Sequence, residues 1–404
     1  MKNLVVGQSG GPTAAINSSL AGVIKRAFDS AEVDTVYGMV NGIDGFLKEE
    51  IVEMTRFKNP FALRLLMQTP SSFLGSCRRK LPEIGDNEEL YEKIFGLFKK
   101  YEIKYFVYIG GNDSMDTVMK LSEYAARKKY DISVAGIPKT IDNDLALTDH
   151  TPGYGSAAKY VANSVRQLAL DTSVYKMKSI VITEIMGRNA GWLTAAAALA
   201  NCEKISPVDI VLLPEAAFDK DKFLEKLSRV MDKKNSTIIA VSEGIKNSGG
   251  KYIGETAAGL MKDGFSHAAL GGVGSIIESL IKDNLGIKTR NIEFSTMQRC
   301  STQNISLCDY DEAFQAGYRG TMHAIDGNTG FMAGFSRISD DPYSMRVSYN
   351  DVRDIANIEK FVPAEMIGAD GMSVTDEFIK YASPLIAGEP DLIYKDGVID
   401  FETL

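Results

Sequence analysis

Two aspartates one residue apart, Asp142 and Asp144, close the stretch SVAGIPKTIDND, residues 133–144, in which an apolar run meets Pro138 and then Lys139 and Thr140. In extended backbone, side chains at i and i+2 face the same way, so the carboxylates are expected side by side. Neighbouring carboxylates raise each other's pKa, which suits proton abstraction or metal binding. A solvated acidic turn is the plainer reading, and the apolar strand directly before it weighs against that. Two glycine-rich turns offer complementary chemistry: GQSGGPTAAIN sets Gly10 and Gly11 before Pro12, and GGNDSMD sets Gly110 and Gly111 before Asn112, Asp113 and Ser114. Bare backbone amides at a helix start hold anions, although each turn alone is a common strand-to-helix joint and Asp113 or Ser114 is a ready N-cap. Neither is a Walker loop, since no Gly-Lys-Ser/Thr follows. Together the two turns suit a polyphosphate. SIVITEIMGRNAGW adds Gly187, Arg188 and Asn189, AVSEGI adds Glu243, and TRNIEFSTMQR adds Arg290 and Arg299, which read singly as surface charges and as phosphate ligands if the loops converge. Arginines there would bind phosphate or stabilise transferring charge, and Glu243 would accept a hydroxyl.

The elements that must position these groups alternate. Apolar β-rich runs at Asn3–Val6, Val36–Val40, Tyr105–Ile109, Ser133–Ile137, Ser179–Ile185, Asp209–Leu213 and Thr237–Val241 are separated by helical patterns such as Thr13–Phe28, Asp113–Arg127, Gly155–Leu168, Ala190–Ala200 and Asp219–Met231. Runs apolar on both faces belong to parallel strands covered by helices, so the expected fold is α/β: two Rossmann-like parallel-sheet domains with helices on both faces. Ligands of such sheets bind beyond the carboxyl ends of the strands, where the polar stretches fall. The expected domains exchange segments, 1–153 plus 298–350 forming one and 154–297 plus 351–404 the other.

The chain of 404 residues has 45 basic and 53 acidic side chains, a net charge of −8, which offers no general attraction to nucleic acid or an anionic membrane. Cys77, Cys202, Cys300 and Cys308 form no CxxC pair, which suits free thiols in a reducing cytoplasm. The N-terminal MKNLVVGQSGGP lacks the pattern of an export signal, and the longest apolar stretch, 190–201, is far short of the ~20 residues that span a bilayer.

GQSGGPTAAIN, GGNDS, PKTIDND, MGR, SEG and MQR stand in the order and approximate spacing of the phosphofructokinases, which this chain resembles over roughly residues 1–305. It is most similar to the pyrophosphate-dependent branch, because ATP-using members carry glycine where this chain has Asp113 and Lys139. The resemblance implies transfer of a phosphoryl group from pyrophosphate to the 1-hydroxyl of fructose 6-phosphate, reversibly, in glycolysis. It implies Asp142 as the base, Asp144 as its support, and Thr140 and Ile141 at the reacting end. Met186, Gly187 and Arg188 match the sugar-phosphate loop, Glu243 the hydroxyl ligand, and Arg299 and Arg290 the clamps on the 6-phosphate. Arg290 comes from a neighbouring subunit in relatives, which implies a homodimer or homotetramer with a shared site. Gly10, Gly11, Arg78 and Gly111 match donor-phosphate contacts. The resemblance implies that the first expected domain binds the phosphoryl donor and the second the sugar phosphate. Magnesium is the implied cofactor, but Asn112 replaces the aspartate that binds it in many relatives. Thr296 stands where His or Tyr is frequent, and Ser179 where a partner's arginine often sits, with Lys178 beside it. His150, His267 and His323 match no role. An ATP-dependent enzyme and a non-catalytic regulatory subunit are the competing readings.

Overall fold

The computed structural model describes residues 2–256 and 272–404, so His267 lies outside the described residues. Seven strands form the first sheet: β1 (Asn3–Gln8), β2 (Val36–Met39), β3 (Ile51–Glu53), β4 (Ile103–Gly110), β5 (Ser133–Pro138), β10 (Phe331–Asp340) and β11 (Tyr343–Asp351), in the spatial order β11-β10-β5-β4-β1-β2-β3. Four form the second: β6 (Ser179–Ile185), β7 (Val208–Leu212), β8 (Ser236–Ser242) and β9 (Lys288–Glu293), in the order β7-β8-β6-β9. The second sheet is parallel throughout. The first is parallel in its centre, but β3 and β11 at its two edges run antiparallel to their neighbours. This departs from an all-parallel expectation: β11 returns through a tight turn after Asp340, and β3 after residues 40–50, which hold one short helix, Gly42–Phe46, so neither makes the crossover that a parallel pair needs.

Burial explains the layering. All of β5 and all but one residue of β4 are buried, and β6 is buried from Ile180 to Ile185. Such strands need helices on both faces. Helix Ile16–Phe28 and helix Leu307–Ile325 pack on one face of the first sheet, while helices Glu88–Lys100 and Asn112–Lys128 share a core with its other face. The expected helix Ala190–Ala200 is an α-turn at Trp192–Ala195 that tightens into a 3₁₀ stretch, Ala196–Ala200, all of it buried.

The C-terminal segment does not stay with one sheet. Val352, Ile355 and Ala356 join the core beside β4, whereas Val362, Phe378 and Leu385 join the core beside β6. The chain then returns: Gln68 donates to the carbonyls of Ile393 and Asp400, and Thr69 accepts from the Glu402 amide. Residues 351–404 therefore serve both units, in contrast to their expected place in the second alone.

Candidate active site

The carboxyl ends of β1, β4, β5, β6 and β8 open on one cavity of ≈ 700 Å³. One side is lined by Gly10, Gly11, Arg78, Gly111, Asn112 and Asp113, and the facing side by Met186, Arg188, Glu243 and Arg299. Lys139, Thr140, Ile141, Asp142 and Asp144 run between the two.

Gly10 holds φ +76°, a left-handed conformation that glycine adopts without strain, and this turn brings the loop over Lys139. A Cβ on Gly10 would lie 3.3 Å from Lys139 Nζ, and one on Gly11 3.2 Å from an Arg299 nitrogen. Lys139 is 2% exposed and donates to the Gly11 carbonyl at 2.5 Å, so its charge sits under the glycine loop. Burial pushes its ammonium down to about 8, partly countered by Asp142, with Arg299 and Arg78 adding to the depression. Burial also raises Asp142 above the usual carboxylate range, against the Thr140 hydrogen bond and the charges of Lys139, Arg188 and Arg299. Asp144 is pushed up to about 7 by burial and by Asp142. Burial thus holds both carboxyls above the usual range, with the charge of Asp142 raising Asp144 further.

The backbone between them is not extended. Asn143 holds φ +55°, its amide oxygen accepting from the Thr151 N–H at 3.1 Å and its nitrogen donating to the Tyr381 hydroxyl at 2.8 Å. A left-handed asparagine anchored at both ends, rather than strand alternation, sets the directions of Asp142 and Asp144. Thr140 holds Asp142 further: its hydroxyl accepts from the Asp142 amide at 3.1 Å and donates to the carboxylate at 3.3 Å.

On the facing side, Gly187 N–H lies 3.4 Å from the Glu243 carboxylate, and the Ser242 hydroxyl donates to the Gly187 carbonyl. Burial raises Glu243 to about 7, opposed by the Gly187 amide. Gly244 has no room for a Cβ, which would fall 1.8 Å from the Arg188 carbonyl, so the SEG turn packs directly under the MGR loop. Gln298 is buried and accepts from the Met186 N–H at 3.2 Å, which ties the MGR loop to Arg299 one residue on.

A match to the family described as Phosphofructokinase covers residues 3–318. The chain belongs to the phosphofructokinase family. It is 38% identical over 406 residues to a pyrophosphate--fructose 6-phosphate 1-phosphotransferase of Methylococcus capsulatus, covering 100% of this chain and 96% of that protein. A protein of the same description from Xanthomonas campestris is also 38% identical, again over 100% of this chain and 96% of its own. The solved pyrophosphate-dependent phosphofructokinase of Nitrosospira multiformis superposes with a TM-score of 0.90 at 36% identity, covering 99% of this chain and 96% of that one.

Within this phosphofructokinase, three of the expected site residues do not line the cavity. Gly187 acts from behind Met186 and Arg188 through its amide and carbonyl. Thr296 is exposed just before the Met297–Cys300 turn. Arg290 is exposed on β9 and borders a separate depression with Tyr175, Met177 and Ser179. Asn112 lines the cavity, but both ends of its amide are engaged: the nitrogen donates to the Ile358 carbonyl at 2.9 Å and the oxygen accepts from the Asn357 N–H. His150 is buried between Asp149 and Glu312, and His323 is stacked on Tyr349, both away from the cavity.

Sequence reading missed two groups. Lys80 lines the donor side and pairs with Asp113 at 2.9 Å. The strap 357–361 crosses the cavity with Asn357, Glu359 and Phe361 facing it, while Lys360 points away to donate to the carbonyls of Thr148 and Asp149. NIEKFV has no regular alternation of polar and apolar residues, so nothing local marked the strap.

Proposed function

We propose that the chain transfers a phosphoryl group from pyrophosphate to the 1-hydroxyl of fructose 6-phosphate, giving fructose 1,6-bisphosphate and orthophosphate. The observation that carries this reading is the donor side of the cavity. Buried Lys139 lies under the Gly10–Gly11 loop, and Asp113, paired with Lys80, stands at the start of the second glycine turn. A carboxylate at 113 repels a nucleotide α-phosphate, and a cation under the loop serves a small anion that has no nucleoside to anchor it.

In this reading Asp142 takes the hydroxyl proton as the sugar oxygen bonds to phosphorus and the bridging P–O bond breaks. Asp144 and Asn143 hold Asp142 in place, and Lys139 and Arg188 neutralise charge on the transferring group, since in-line transfer asks the protein for position and charge rather than covalent work. Glu243, Met186 and Arg299 hold the sugar phosphate. Magnesium, when it arrives with the phosphates, would neutralise their charge. Asp113 is a hard oxygen on the cavity wall that would fit it, consistent with an ion held by one or two carboxylates and its substrate; among the described residues no three ligating side chains gather to hold one alone. Asn112, already engaged, is assigned to the strap instead. Exposed Arg290 supports a homo-oligomer in which it serves a neighbour's site, and free thiols support a cytoplasmic location.

The test is an assay of the purified chain with fructose 6-phosphate, magnesium and either pyrophosphate or ATP. Faster turnover with pyrophosphate is expected. Faster turnover with ATP, or none with either donor, overturns the assignment.

A further inference from the structure

The Asn112 amide, which holds main chain rather than a ligand, points to a second control on the donor. Beyond Asp113, one face of helix Asn112–Lys128 continues through Asp116 and Lys120. That face is closed. Asn357 donates from its side chain to the Asp116 carboxylate at 3.0 Å, while its own N–H and the next carbonyl are gripped by Asn112. Lys120, 5% exposed, pairs with Asp116 and Glu83 at 2.9 Å each and donates to the Leu81 carbonyl. The strap is fixed on its other side as well: the Lys360 N–H donates to the Asp144 carbonyl at 2.7 Å, and Trp192 donates to the Lys360 carbonyl at 3.0 Å.

We propose that Asn357, fixed by Asn112 and backed by the Asp116–Lys120 pair, is the end wall of the donor cradle and limits the donor to two phosphates. The inference rests on the reading that the donor lies between the two glycine turns. A third phosphoryl group leaving that cradle along the helix would meet Asn357, which lines the cavity and is backed by buried Asp116. A polar wall braced by several hydrogen bonds does not yield as a single flexible side chain would. This mechanism differs from charge repulsion by Asp113, because it discriminates by length and acts on an inorganic chain as strongly as on a nucleotide.

Linear inorganic tripolyphosphate separates the two effects. Relative kcat/KM for pyrophosphate, tripolyphosphate and ATP is measured for the wild-type chain, Asn357→Gly and Asn112→Ala, with circular dichroism reporting the fold. In the wild type pyrophosphate is expected to exceed tripolyphosphate by ~100-fold, and both variants should narrow that ratio by ~10-fold or more. Asn357→Ser carries the same test should the glycine variant not fold. A wild type that uses tripolyphosphate as well as pyrophosphate, or folded variants whose ratio stays unchanged, overturns the wall. Should the chain turn over no pyrophosphate, the function fails rather than the wall. Calorimetric binding of methylenediphosphonate against tripolyphosphate to the same proteins then decides the wall, with the same ratios expected.

Discussion

Lys139 gives the donor assignment its sharpest test, because its charge is both buried and titratable. With the ammonium depressed to about 8 by burial, the free enzyme carries the charge below that pH and loses it above. The pH dependence of kcat/KM reports free-enzyme groups, so pyrophosphate use should fall along an alkaline limb. If only the charged form is active, the protonated fraction drops from about three-quarters near pH 7.5 to about 3% near pH 9.5, a loss of roughly 25-fold. Lys139→Met should lower kcat/KM at neutral pH by ~10²–10³, the range for removing one preorganised charge-stabilising donor. Lys139→Arg keeps a charge that does not titrate in this range, so its alkaline limb should flatten even if its rate is lower. Initial rates of fructose 1,6-bisphosphate formation across the pH series are the assay. A wild-type profile flat to pH about 9.5, or an alkaline limb unchanged in Lys139→Arg, refutes the role of Lys139 charge.

Asp142→Ser should lower kcat by ~10²–10⁴ with little change in fructose 6-phosphate affinity, and a near-normal kcat would remove Asp142 from the mechanism. Asn143→Ala loses two buried hydrogen bonds and places alanine at a left-handed φ, so Tm and kcat should both fall; Asn143→Gly relieves only the backbone cost and should fall between them. Burial would lower the His150 pKa, but Glu312 and Asp149 outweigh it and raise the value from 6.5 to about 9, so its stabilisation is complete below pH 6.5 and is lost as pH rises through about 9. Thermal melts should show Tm falling across that window, and His150→Phe should lack that component. Arg290→Ala should raise KM for fructose 6-phosphate by roughly ten- to a hundredfold while leaving that for pyrophosphate nearly unchanged, and a fully active monomer would contradict a shared site.

The glycine turns, the 139–144 loop and the MGR and SEG turns were legible because each follows a short apolar strand whose type and end can be read locally. The convergence of Gly11, Lys139, Asp142 and Arg299 was legible only through the rule that parallel sheets bind at their carboxyl ends. What was hidden depends on long-range partners. Asn112 reads as a ligand position until the strap, 245 residues later, takes its amide. Nothing local marks Lys360, whose ammonium lies over the Trp192 ring and donates to the carbonyls of Thr148 and Asp149, more than 200 residues earlier. Asn143 gave no cue to its left-handed turn, because the anchors that stabilise it, Thr151 and Tyr381, lie 8 and 238 residues away.

The interleaved connectivity has a consequence for synthesis on the ribosome. The second sheet is drawn entirely from residues 179–293, one continuous stretch. The first begins at residue 3 but leaves β5 as an uncovered edge until β10, starting at residue 331, has emerged to pair with it. Nascent chains thus hold their earliest strands unfinished while a later-made unit has all of its own. Both units still finish late: the first gains its closing strands with residues 331–351, the second its core residues Val362, Phe378 and Leu385 later still, and the β5 edge stays open to misassociation until β10 emerges. Truncation before residue 331 should leave both units susceptible to protease, whereas a chain ending just after Ala356 should protect the first sheet while the second still lacks Val362, Phe378 and Leu385, a pattern that limited proteolysis of stalled chains can read.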